Sequence, residues 1–86
     1  MIASRHNPTI KRIRALLNRR ERDRVGLFLV EGIRIVAQAV CVHAPIQELV
    51  VAPDLLRSPF GQELVRRQAA AGVPCITVKA EMFKKL

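Results

Sequence analysis

The sequence predicts an α/β domain: a mostly parallel mixed sheet between helices, arranged as three layers, α/β/α. Three observations lead there. Short apolar runs alternate with stretches in which apolar residues recur at helical spacing. Two of the helical stretches open on a capping residue followed by proline, Asn7-Pro8 and Ser58-Pro59. Glycine or proline stands between successive elements, at Gly26, Gly32, Pro45 and Gly72. Alternating helices and strands imply parallel pairing, with helices on both faces of the sheet.

The elements follow in order. From the Asn7-Pro8 cap, Ile10, Ile13, Leu16 and Leu17 form an apolar stripe, while Lys11, Arg14 and Asn18 fall on another face with Arg12 and Arg19 nearby. This predicts an amphipathic helix over 8–20, one side apolar and the other cationic. Arg19–Arg24 alternates charge signs without an apolar residue and reads as a solvated helix end or loop. After the break at Gly26, Leu27-Phe28-Leu29-Val30 reads as a buried strand. Ile33, Val36, Ala37, Val40 and Cys41 predict a second helix, running to about Val42. Pro45 makes a turn, and Ile46 to Val51 reads as a second strand. A third helix is expected from Ser58-Pro59 to the stop at Gly72, carrying Phe60, Leu64, Val65, Gln68 and Ala69. Val73 to Val78 reads as a third strand, with Pro74 tolerable near its start. Ala80 to Leu86 opens a fourth helix, which stops without a terminating signal. That predicts a longer protein continuing beyond the 86 residues.

Charge supplies the functional signal. The chain carries a formal net charge of +8, and eleven of its fifteen bases are arginine. Residues 1–24 hold eight bases against two acids, and residues 25–86 hold seven against five, so +6 of the +8 lies in the N-terminal quarter. Such clustering marks a binding surface for a polyanion, and nucleic acid is the usual one. Arginine's planar fork suits phosphate oxygens. Trp and Tyr are absent, and Phe28, Phe60 and Phe83 sit in apolar patterns that read as core. A stacking platform for splayed bases is therefore not expected, and recognition should lean on phosphates, 2′-hydroxyls and shape. About four phosphate contacts would give a log–log salt slope of about −3 to −4.

Other chemistry is poorly represented. Cys41 and Cys75 sit in apolar runs and read as buried small hydrophobes, a usage that suits a reducing cytoplasm. His6 and His43 lack metal-ligand spacing with either, so no metal site is expected. His43 reads as a solvated surface residue, and His6, beside the cap, as at most an added RNA contact. There is no Ser/His/Asp arrangement, Gly-rich phosphate loop or close carboxylate pair to argue catalysis from. No apolar run is long enough to span a membrane, and no secretory signal is present. Glu31-Gly32 reads as a helix start, with Gly32 permitting the corner. Its functional alternatives are that Glu31 orients an arginine, or that the exposed N–H groups meet a phosphate.

Ser4-Arg5-His6-Asn7-Pro8-Thr9-Ile10-Lys11, then Leu16 with Arg19 and Arg20, then Arg24, Gly26, Phe28-Leu29-Val30-Glu31-Gly32, Val36 and Ala39 form a spaced pattern. It resembles the N-terminal substrate-binding domain of SpoU-type RNA 2′-O-ribose methyltransferases, of the SPOUT superfamily, most sharply over residues 2–36. The resemblance implies an L30e-like fold and a role in capturing rRNA or tRNA. It implies that chemistry belongs to a following knotted domain, normally dimeric, which binds S-adenosylmethionine and methylates a ribose 2′-hydroxyl. No catalytic residue and no cofactor-binding residue is carried over to residues 1–86. The positions carried over are Asn7, Lys11, Arg19, Arg20, Arg24, Glu31 and Gly32, with Asn7, Glu31 and Gly32 open to a role in the fold. Arg12 and Arg14 join the RNA-binding set from charge and face, and Arg22 as part of the Arg19–Arg24 run. Two other readings stand beside this one: a stand-alone L30e-like RNA-binding protein without enzymatic activity, and a basic amphipathic segment for an anionic membrane.

Overall fold

The computed structural model describes residues 7–84. His6 and the Ser4-Arg5 part of the motif lie outside the described residues, as do Lys85 and Leu86. The element order is α1 (Pro8–Ala15), α2 (Arg19–Val25), α3 (Ile33–Cys41), β1 (Leu49–Val51), α4 (Pro59–Ala70), β2 (Cys75–Thr77) and α5 (Ala80–Phe83). The α/β class and the parallel pairing are as expected: β1 and β2 run parallel, with Leu49 opposite Cys75, Val50 opposite Ile76 and Val51 opposite Thr77. α4 makes the crossover between them.

Both proline-led starts behave as read. Asn7 Oδ1 accepts the Thr9 N–H at 2.9 Å, and Ser58 Oγ accepts the Gly61 N–H at 3.2 Å. The core joins Ile10 of α1, Ala52 and Val78 just past the two strands, and Met82 of α5, with Val50, Ile76 and Phe83 packed against it. Ile10 and Val78 are fully enclosed. Ile13 and Leu16 are buried too, so the apolar stripe of α1 faces the core.

Several expectations are corrected. The helix over 8–20 is two helices. The N–H groups of Leu16, Leu17 and Asn18 bond the carbonyls of Ile13, Arg14 and Ala15, tightening the last turn of α1. Asn18 then caps a new helix through Oδ1, which accepts the Arg20 N–H at 2.9 Å. Arg19–Arg24 is thus helical, and Leu17 at the corner is 62% exposed rather than buried. Leu27–Val30 is not a strand. Its backbone makes no hydrogen bond among the described residues, and Phe28 is 74% exposed. An apolar run becomes a strand only where a partner edge meets it. The second and third strands are shorter than read, at Leu49–Val51 and Cys75–Thr77, and the last helix is described to Phe83. Phe60 is exposed, as is Cys41, so neither is a core residue.

α3 and α4 end in the same way with different residues. His43 N–H bonds the Val40 carbonyl and Ala44 N–H the Ala39 carbonyl. Gly72 N–H bonds Ala69 and Val73 N–H bonds Gln68 in the same pattern. The turn requires a positive φ, and it is +97° at Gly72 but +56° at His43, which carries a Cβ.

A cationic surface on α1 and α2

The RNA-binding set read from the sequence lies on two short helices and their caps, and the structure divides it by what each side chain touches. Asn7 is occupied by its cap. Arg12 reaches from α1 to Glu48, immediately before β1, and holds it by two parallel bonds: Nη2 to Oε2 at 2.9 Å, and Nη1 to Oε1. The Glu48 carboxylate is largely covered, with its side chain 19% exposed, and its hydrogen bond raises the Arg12 pKa above the usual guanidinium value. Arg24 forks onto Glu21 within α2, with Nε to Oε2 at 3.1 Å, which lowers the Glu21 pKa and raises that of Arg24. Arg19 is 3.8 Å from Asp23, with both side chains well solvated, a pairing of little energetic weight. Arg22 donates Nη1 to the Leu16 and Leu17 carbonyls at 3.0 and 3.1 Å.

Lys11, Arg14 and Arg20 are exposed and have no ion-pair partner among the described residues. Lys11 and Arg14 stand on α1, whose buried Ile10 and Ile13 fix the helix on the core. Arg20 stands on α2. On the two helices these three cations have neither a carboxylate nor a carbonyl partner for their side chains among the described residues. Arg34, in the first turn of α3, is also exposed and without an ion-pair partner among the described residues. A single base in an apolar helix carries no local charge signal in the sequence.

Glu31 is exposed, and Gly32 is the cap position of α3 with φ +96°, a conformation that glycine adopts without strain. No arginine contacts Glu31 among the described residues. An apolar groove of about 480 Å³ runs beside it, lined by α3, β1 and α4 residues including Ile33, Val36, Val51 and Val65. Among the described residues, Glu31 is the one charged residue in its lining. His43 is exposed, as expected. No cluster of three or more His, Cys, Asp or Glu side chains able to hold a metal occurs among the described residues. No described helix is long and apolar enough to cross a membrane.

The structure therefore defines a small α/β domain with an arginine-rich face built on its first two helices. Residues 7–86 match the MRM3-like substrate binding domain family, and the chain belongs to that family. This agrees with the resemblance to the N-terminal substrate-binding domain of SpoU-type RNA methyltransferases, and makes the chain a substrate-binding domain of an RNA-methyltransferase-related family. No curated protein and no solved structure matches the chain.

Proposed function

We propose that this domain captures rRNA or tRNA for an S-adenosylmethionine-dependent 2′-O-ribose methyltransferase, and that the methyl transfer itself takes place on a separate catalytic domain. The observation that carries the reading is the cationic face of α1 and α2, where Lys11, Arg14 and Arg20 have no ion-pair partner among the described residues, Lys11 and Arg14 on a helix seated on the core by Ile10 and Ile13. Arg19, with its weak pairing, joins them when a phosphate competes with Asp23. Phosphate contacts of this kind hold and orient an RNA without reading its sequence. The apolar groove does not suit the cofactor: among the described residues it offers no cation for the methionine carboxylate. Dimerisation through the catalytic domain and a cytoplasmic location complete the proposal.

Fluorescence anisotropy with an RNA stem-loop across a salt series tests the surface. Replacing Lys11, Arg14 and Arg20 together by Ala should reduce the log–log salt slope by about 2 to 3. An unchanged slope removes α1 and α2 from the interface. The enzymatic part is tested by mapping ribose methylation after deletion of the gene: one 2′-O-methyl group should disappear, and an unaltered map refutes that part.

A further inference from the structure

We infer that Arg22 is a positioning residue of the RNA surface and not one of its phosphate contacts: it fastens α2 to the end of α1, and so sets where Arg19 and Arg20 stand. The inference rests on the reading of α1 and α2 as the RNA surface. Its basis is the pair of hydrogen bonds from Arg22 Nη1 to the Leu16 and Leu17 carbonyls, at 3.0 and 3.1 Å. Both carbonyls lie just past α1, where chain-end carbonyls lack intrahelical partners and the helix dipole is negative. A guanidinium there satisfies two acceptors at once.

The rest of α2 explains why this bond matters. α2 buries no residue, and its single apolar side chain, Val25, is 37% exposed, so apolar packing holds it weakly. The Arg24–Glu21 and Arg19–Asp23 pairs lie within α2 and tie it to nothing else. The Asn18 side chain bonds only the first turn of the helix it caps. After Gly26, the backbone of Leu27–Glu31 makes no hydrogen bond among the described residues. Among those residues, the Arg22 fork is the side-chain link that joins α2 to α1. Without it, Arg20 is carried by a short exposed helix free to pivot at Leu17 and Asn18. Phosphates then meet it in many orientations, and the ordering cost falls on binding.

A double-mutant cycle with the full chain and a fluorescein-labelled RNA stem-loop tests this. In the wild-type background, Arg20→Ala should weaken binding by up to about eightfold at about 0.1 M salt, the weight of one phosphate contact. In an Arg22→Gln background, the same change should cost less than about twofold, because Arg20 is already misplaced. Arg14→Ala should cost the same in both backgrounds, since α1 sits on the core independently of Arg22. Amide exchange of the RNA-free chain should quicken across α2 in Arg22→Gln and stay unchanged across α1. Arg22→Lys keeps the charge and loses the planar fork, and should fall between wild type and Arg22→Gln in both measurements. Multiplicative losses from Arg20→Ala and Arg22→Gln, with the salt slope falling by about 1 for each, would make Arg22 a direct contact and overturn the proposal. So would unaltered α2 exchange in Arg22→Gln. If Arg14→Ala and Arg20→Ala leave wild-type binding untouched, the RNA surface itself is misassigned, while the exchange measurement still decides whether Arg22 holds α2.

Discussion

Glu48 decides whether Arg12 is available to RNA, and Glu48→Gln isolates that effect. In the native structure both Glu48 oxygens are bonded by the Arg12 fork, and the carboxylate side chain is 19% exposed against 50% for the Arg12 side chain. A neutral amide presents one acceptor in place of two and no charge, so Arg12 is released towards solvent on the same helix as Lys11 and Arg14. If it reaches one further phosphate, the log–log salt slope steepens by about 0.7 to 0.9, the lower figure for a single strand. Raising salt from about 50 to about 200 mM then weakens the variant by about threefold more than the wild type. Affinity at about 0.1 M rises by up to about eightfold, against a loss of folding stability of about 1 kcal/mol or less for a half-exposed ion pair. Anisotropy titrations at four or five salt concentrations give both slope and affinity. The control is Glu63→Gln, which changes net charge equally but frees Arg66 and Arg67 on α4. An equal steepening in Glu48→Gln and Glu63→Gln would show only the bulk charge, and would refute the placement of the interface on α1.

Further outcomes follow from the geometry. His43→Gly removes the cost of holding a Cβ at φ +56° and should stabilise the domain by about 1 kcal/mol, raising its thermal midpoint by about 4 to 8 °C; an unchanged midpoint would show that the turn stores no strain. Ile10→Ala opens a cavity at a fully enclosed position and should cost about 2 to 5 kcal/mol in urea unfolding, enough to threaten so small a core. Glu63 is held by hydrogen bonds from Arg66 and Arg67 and its pKa falls to about 2. A depressed folded-state pKa means that its contribution is present above the unfolded value near 4.5 and is lost as pH drops towards about 2. NMR titration of the Glu63 carboxylate should show that low midpoint, and a midpoint above 4 would dissolve the pairing.

Much of this architecture could be read from local rules. Asn7-Pro8, Ser58-Pro59 and Gly72 each satisfied the demands of a helix end by residue type alone, and the ends fell there. The Asn18-to-Glu21 spacing is itself a helix-start signal that should have divided the first helix; the continuous charge pattern hid it. Leu27–Val30 misled for a different reason. A short apolar run is compatible with a strand or with bare coil, and only tertiary context separates them. The cationic surface was legible as a region but not residue by residue. Arg24 and Glu21 are three positions apart, and their pairing follows from helix geometry. Arg12 and Glu48 are separated by 36 positions, and the Arg22 bonds end on backbone carbonyls, so neither engagement leaves a trace in composition.

The unpaired Leu27–Val30 segment has a colloidal consequence. It presents a row of uncharged side chains on a backbone whose donors and acceptors have no partner among the described residues. Unpaired apolar backbone of this kind is a place where another chain can pair. Beside a chain whose net charge of +8 repels its copies, the two effects oppose each other, and added salt shifts the outcome by screening the repulsion alone. Light scattering of concentrated protein should therefore rise with ionic strength, and a single lysine at Phe28 should suppress the rise without touching the core.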